Sequence, residues 1–373
     1  MVQALAGLFP LDRQRIVFYA YKRKGFCCNP KYIALSLLKD FSGEYRLYWA
    51  SAWPETVDCP SGCTVIRLGS LRFYYLCARA KLLVTNDKLD GFLCKRRGQL
   101  YMNTWHGGGA FKKAGLDAAR NEGEAAAVRL WYGDMDYMLV SSLYLREAFS
   151  RAFSLPPERV LATGMPRSDV LLSPPSGIRE AVRERYGFDA AVQVVLFAPT
   201  YSTDMNPVPL SGADCAAVLA ALSRRFGGEW RMLSRSHYFD GDAPCTGFPG
   251  GTACCNDWYD AQELLCAVDV LITDYSSLLW DFTLLGRPAF RLAADPEGYG
   301  AEERGFYMPY GEWPYPHART AAELAAQVAV YDAEYWRGRQ EAFLRFVGNC
   351  DRGCSSRLAG EAVRKIMSDG ERE

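Results

Sequence analysis

Short apolar runs of strand character alternate with amphipathic helical runs along nearly the whole chain, and that alternation leaves few folds open. Strand patterns fall at 15–21, 45–50, 63–68, 81–85, 99–104, 137–140 and 159–163, with helical stretches at 32–38, 71–80 and 143–153. Strands separated by helices pair in parallel through crossovers, so the expectation is a parallel sheet covered by helices. The tract Ser173-Pro174-Pro175-Ser176-Gly177 interrupts the pattern. A second series follows, with strands at 192–198, 230–233, 268–273 and 289–292 and helices at 178–186, 213–225, 259–266, 277–285 and 321–331. A length of 373 residues exceeds what one core commonly serves. The sequence therefore predicts an α/β protein of two Rossmann-like domains, residues 1–176 and 177–373, with helical tail segments at 334–347 and 356–367 crossing back onto the first. Ligands in such folds lie at the carboxyl ends of the strands, which here means a cleft between the halves.

Charge and cysteine usage narrow the class. Lysine plus arginine equals aspartate plus glutamate, 43 each, which argues against a surface built for nucleic acid. No run approaches the ~20 apolar residues of a spanning helix, and 1–11 lacks a basic n-region, so a cytoplasmic protein is expected. The 13 cysteines are scattered among apolar residues and read as reduced, mostly buried thiols. Two C-x3-C pairs, Cys59/Cys63 and Cys350/Cys354, have loose zinc-knuckle spacing, but buried free thiols are the simpler reading.

The candidate chemistry sits where strands end. Leu271-Ile272-Thr273-Asp274-Tyr275-Ser276-Ser277 runs from a strand into a new helical period, with Ser276 or Ser277 as N-cap. A helix start of this kind is a phosphate site. His106 follows the 99–104 strand and opens His106-Gly107-Gly108-Gly109, where glycine lets a ligand approach the backbone. A lipase-type oxyanion loop would look similar, but no serine has glycine at both flanking positions of a nucleophile elbow. Arg235 and His237, just past the 230–233 strand, would clamp an anion together; His317 reads as a surface-loop residue. Neither a P-loop nor a dinucleotide fingerprint is present. Asp134-Met135-Asp136 and Asp240-Gly241-Asp242 read as solvated turns, and no metal is expected.

Seven segments in register carry a family resemblance. They are Asn29-Pro30-Lys31, Thr104-Trp105-His106-Gly107, Thr163-Gly164-Met165-Pro166-Arg167-Ser168-Asp169, Ala198-Pro199-Thr200, Arg235-Ser236-His237, Ile272-Thr273-Asp274-Tyr275-Ser276-Ser277 and Arg304-Gly305-Phe306-Tyr307. Together they resemble the CDP-glycerol glycerophosphotransferases of teichoic-acid and capsule synthesis, a resemblance reaching from about residue 15 to 357. It implies a GT-B-type fold and transfer of glycerol phosphate, or a related polyol phosphate, from a CDP-activated donor to a hydroxyl of a lipid-linked glycan or polymer, releasing CMP. It places the two activity-bearing histidines on His106 and His237.

Combined with the residue reading, His106 is expected to be the base. Gly107, Arg235, Asp274, Ser276, Ser277, Arg304 and Arg167 are expected around the substrates, with no cofactor beyond the CDP donor. The family's usual threonine and proline after histidine-glycine are Gly108 and Gly109 here. A lipid-linked acceptor implies peripheral attachment to the inner membrane face, for which the mixed basic and apolar run 71–83 and Lys95-Arg96-Arg97 are candidates. The rival readings are a GT-B glycosyltransferase using a nucleotide sugar and a non-catalytic cell-wall scaffold.

Overall fold

The computed structural model describes residues 8–21, 25–109, 111–200, 208, 210–235, 252–301 and 305–369. The chain forms two compact units, one of residues 1–108, 114–169 and 348–373, the other of residues 109–113 and 170–347.

The first unit is a seven-stranded parallel sheet of β1 (Asp12–Tyr19), β2 (Arg46–Ser51), β3 (Cys63–Arg67), β4 (Ala80–Thr85), β5 (Leu100–Asn103), β6 (Tyr137–Leu139) and β7 (Val160–Leu161). Its order is β3-β2-β1-β4-β5-β6-β7. β1 is apolar on both faces because both are covered: Ile16 and Phe18 join one core cluster, Val17 and Tyr19 the other. Helix α1 (Cys28–Asp40) lies over the first face and α2 (Leu71–Arg79), capped by the Ser70 hydroxyl, over the second. Helices α3 (Glu122–Tyr132) and α4 (Leu143–Ala152) begin at Asn121 and Ser142, whose side chains accept the N–H groups of Glu124 and Leu145.

The second unit repeats the arrangement with β8 (Gln193–Phe197), β9 (Trp230–Ser234), β10 (Thr252–Cys254), β11 (Val270–Thr273), β12 (Ala289–Leu292) and β13 (His317–Ala318), all parallel, in the order β10-β9-β8-β11-β12-β13. Its helices of six or more residues are α5 (Ile178–Arg185), α6 (Gly212–Phe226), α7 (Ala261–Ala267), α8 (Leu278–Thr283), α9 (Ala321–Ala329) and α10 (Ala333–Phe346). Segment 109–113 belongs here because Phe111 is buried in an aromatic nest, stacked on Trp313 at 4.1 Å and on Phe343 at 5.6 Å. The last helix, α11 (Ser355–Asp369), is part of the first unit, where Ala359, Val363, Ile366 and Met367 share a core with Ile33, Ala34 and Leu37 of α1.

Most predicted elements are present, with ends moved by a few residues. The pattern missed α3, whose one buried residue is Ala125, so it has no apolar stripe to read. It also missed β10 and β13, which have three and two residues. His317 is accordingly no surface-loop residue. It lies half-buried in β13, its Nε2 bonded to Ala293 O at 2.9 Å, and burial lowers its pKa.

Each sheet reverses its strand order once, between β1 and β4 and between β8 and β11. Those are the points where crevices open at the carboxyl ends of the strands. Two glycines, Gly164 in the first unit and Gly177 in the second, show how differently loops are set. Gly164 (φ +79°) and Gly177 (φ +78°) both hold left-handed backbone, but a Cβ on Gly164 would stand 2.9 Å from Cys350 O and against Ser355, while one on Gly177 meets open space. In urea unfolding, Gly177→Ala is expected to cost about 1 kcal/mol from backbone strain and Gly164→Ala about 3 kcal/mol or more. Equal costs would show that the Gly164 contact is not tight.

Candidate functional site

At the first switch point the chain leaves β4 through Asn86 and β1 through Tyr21, and Tyr21 N donates to Asn86 Oδ1 at 2.9 Å. His106 lies just beyond β5, and its Nδ1 is 2.8 Å from Asn86 O. A carbonyl can only accept, so Nδ1 carries the proton and the neutral ring has its lone pair on Nε2. The ring is stacked on Trp105 (4.8 Å, 24°) and meets Tyr21 edge-on at 5.9 Å. Trp105 holds φ +52°, a strained conformation kept by its surroundings.

Those surroundings are a polar network with no exposed surface at its centre. Asn29, fully buried at the start of α1, donates through Nδ2 to Thr104 O (2.9 Å) and Trp105 O (3.1 Å) and accepts Arg167 N on Oδ1 (3.1 Å). The buried Arg167 guanidinium donates to His106 O at 2.7 Å. Asp351 accepts Met165 N (2.7 Å), and Asp169 accepts the N–H groups of Ser355 and Ser356 (2.9 and 2.7 Å) at the start of α11. Ser141 hydrogen-bonds Gly108 O. The His106 loop is thus held from α1, from the 163–169 turn and from the loop after β6.

At the second switch point Asp274 directly follows β11 and Thr200 lies beyond the end of β8. The Asp274 carboxylate accepts Thr200 N (2.9 and 2.8 Å), Thr200 Oγ1 (2.5 Å) and Tyr275 N (2.5 Å). Burial raises its pKa, while the bonds from Thr200 and the positive charge of Lys112 oppose that rise. Next to it Tyr275 stacks on Tyr299 at 3.8 Å, and Lys112 donates to Tyr299 Oη at 2.9 Å. α8 has six residues; Ser276 Oγ accepts Leu278 N at 3.3 Å, and the Ser277 hydroxyl makes no cap bond. Arg235 donates to the carbonyls of Cys255 (3.1 Å) and Trp258 (2.6 Å).

Residues 1–363 match the family model described as CDP-Glycerol:Poly(glycerophosphate) glycerophosphotransferase. The chain belongs to this family. It is 27% identical to the teichoic acid poly(glycerol phosphate) polymerase of Staphylococcus epidermidis over 95% of this chain and 51% of that one. It is 25% identical to the teichoic acid glycerol-phosphate transferase of Staphylococcus aureus over 93% of this chain and 92% of that one. Thus it spans about half the length of the first relative. Among solved structures, the wall teichoic acid polymerase TagF superposes with a TM-score of 0.84 at 26% identity, covering 99% of this chain and 94% of that one. The two parallel-sheet units are of the GT-B type expected.

Within this family member, the structure gathers His106, Gly107 and Arg167 at the first switch point and Asp274, Ser276 and Ser277 at the second. Arg167, expected at a phosphate, is a buried brace of the His106 backbone, and Asp274 shapes the turn after β11. Arg235, expected in an anion clamp, gives its guanidinium to backbone carbonyls. His237, Arg304 and Asp240-Gly241-Asp242 lie outside the described residues. Asp136, read as a solvated turn residue, instead accepts Tyr101 N (2.8 Å) and pairs with Lys95 (2.7 Å). The two C-x3-C pairs do not meet in a metal cluster among the described residues.

Sequence reading missed Asn86, although its place directly after the strand beside β1 marks it. It also gave Asn29 and Thr200 no role, because a buried brace looks like any polar loop residue until its partners are known. Asn29→Ala removes the bonds to Thr104 O, Trp105 O, Met165 Sδ and Arg167 N from a buried network and is expected to cost about 2 to 4 kcal/mol in denaturant unfolding. Asn29→Asp should not recover it, because a carboxylate cannot donate to the Thr104 and Trp105 carbonyls. Full recovery by Asp would contradict the assigned bond directions.

Proposed function

We propose that the protein transfers glycerol phosphate, or a related polyol phosphate, from a CDP-activated donor to a hydroxyl of a teichoic-acid-like acceptor carried on a lipid, releasing CMP. The observation that carries this reading is the His106 imidazole with its Nδ1–H tied to the Asn86 carbonyl. That arrangement presents Nε2 as a base. In the proposed step, Nε2 takes the proton of the attacking hydroxyl as its oxygen bonds to the polyol-bearing phosphorus and the bond to the CMP oxygen breaks. Phosphoryl transfer asks mainly for positioning and charge stabilisation, and the rigid bracing by Asn29 and Arg167 suits the first demand. His237 and the Ser276-Ser277 turn are proposed to hold the donor diphosphate in the second unit. Arg235 and Asp274 would act by fixing the backbone around it.

Attachment to a membrane surface is part of the proposal. No helix among the described residues is long and apolar enough to cross a bilayer. In run 71–83, Phe73, Leu76, Cys77, Ala78, Lys81, Leu82 and Leu83 are buried, which leaves Leu71, Arg72 and Tyr75 exposed. Lys95 and Arg96 are largely used within the fold, on Asp136 and on the carbonyls of Ala78 and Phe9. Helix α3 fits better: Leu130 is 82% and Trp131 45% exposed, and Lys88 lies 3.7 Å over the Trp131 ring. Exposed leucine and tryptophan beside cationic groups match an interfacial helix.

Two experiments test the proposal. Incubation with CDP-glycerol, CDP-ribitol or nucleotide sugars plus a lipid-linked disaccharide should give acceptor-dependent CMP release. His106→Ala and His237→Ala should each lower that release by about 100-fold or more while the fold is retained; release of a nucleoside diphosphate from a sugar donor would replace this reading with glycosyl transfer. In flotation with anionic vesicles at low salt, the intact protein should float and Leu130→Glu/Trp131→Glu should not. Unchanged flotation of that variant would remove α3 from the contact.

A further inference from the structure

Two thiols stand together at the sheet edge, apart from either switch point. Cys59 and Cys63 flank the turn Pro60-Ser61-Gly62 that leads into β3, the outermost strand of the first unit's sheet. Cys63 N donates to Pro60 O at 3.2 Å, and Gly62 holds φ +95° with its backbone against Leu38 of α1. Both cysteines are half-buried against the α1 core cluster, while Ser61 and Gly62 at the tip are exposed. Cys59 and Cys63, at the two ends of this tight turn, pack on the same core cluster, and each thiol shifts the other's titration, Cys59 downward and Cys63 upward. A tetrahedral zinc site needs about four ligands, and no group of three or more histidine, cysteine or acidic side chains placed to hold a metal ion exists among the described residues.

We propose that Cys59 and Cys63 form a reversible dithiol–disulfide pair that is oxidised by small disulfides such as oxidised glutathione. The Cys59 thiolate attacks one sulfur of the small disulfide, forming a mixed disulfide and expelling one glutathione thiolate. Cys63 then loses its proton and attacks Cys59 Sγ, closing the protein disulfide and releasing the second glutathione. The protein gives up two electrons and two protons, and one oxidised glutathione becomes two reduced ones. Cys59 is the attacking sulfur because the Cys63 thiol stabilises its thiolate and lowers its pKa, while Cys63 is held protonated. The short ring and the solvent-facing tip make closure local, so this pair should oxidise without partners from another chain.

The test uses the intact protein equilibrated with reduced and oxidised glutathione at varied ratios, acid-quenched, alkylated and digested with trypsin. Residues 47–67 form one peptide holding both cysteines and no others. The expected result is an unalkylated peptide lighter by two hydrogens than its dithiol form, restored by dithiothreitol, and appearing at a more reducing ratio than oxidation of the exposed Cys94 or Cys254. Cys63→Ser should instead trap a stable glutathione adduct on Cys59, and Cys59→Ser should leave Cys63 largely unmodified. A glutathione adduct persisting in the parent protein with Cys63 alkylated, or a peptide that stays dithiol while the exposed cysteines react, overturns the proposal.

Discussion

The first unit depends on an amide that water never reaches. Asn29 has no exposed surface and bridges the Thr104-Trp105 carbonyls to the Arg167 N–H, so two loops distant in sequence are held against the start of α1. Inside a low-dielectric core such bonds are stronger than in water, and leaving any one unmade is costly. That cost is what makes the loop around His106 a fixed object. Arg167 completes it by donating to His106 O, and Trp105 keeps a left-handed backbone that an unbraced loop would abandon.

The second unit solves a similar problem with a carboxylate. Asp274 takes the N–H and hydroxyl of Thr200 and the N–H of Tyr275, which joins the ends of β8 and β11 at the point where the strand order reverses. Asn86 plays the corresponding part in the first unit by accepting Tyr21 N and His106 Nδ1. Both units therefore use a polar residue directly after the strand at the switch point to set the loop where a ligand is expected. Asn29, Arg167, Thr200 and Asp274 all lie in the segments that carry the family resemblance.

Much of the architecture was legible because both sheets are buried on two faces. Strands such as β1, β4 and β11, where nearly every residue is inside, read as continuous apolar runs, and the helices between them announce themselves by period. α3 escaped because a helix with one buried residue carries no stripe; β10 and β13 are too short for a period. At the site, His106 stood out by its glycines and its place after a strand. What the sequence could not supply was direction: Arg167, Arg235 and Asp274 read as charges beside a ligand, and the structure shows the partners each has within the fold, His106 O, the Cys255 and Trp258 carbonyls, and Thr200 with Tyr275 N. A charged residue near a strand end serves either purpose with the same spacing, and only its partners distinguish them.

The proposed chemistry turns on the tautomer of His106. With three histidines in the chain, long-range nitrogen–proton NMR correlation of the imidazoles, assigned with His106→Gln, reads it directly. Near neutral pH the His106 signal is expected to show a protonated Nδ1 and an unprotonated Nε2. A proton on Nε2 in the neutral ring would break the bond to Asn86 O as assigned and remove the base from the proposed chemistry.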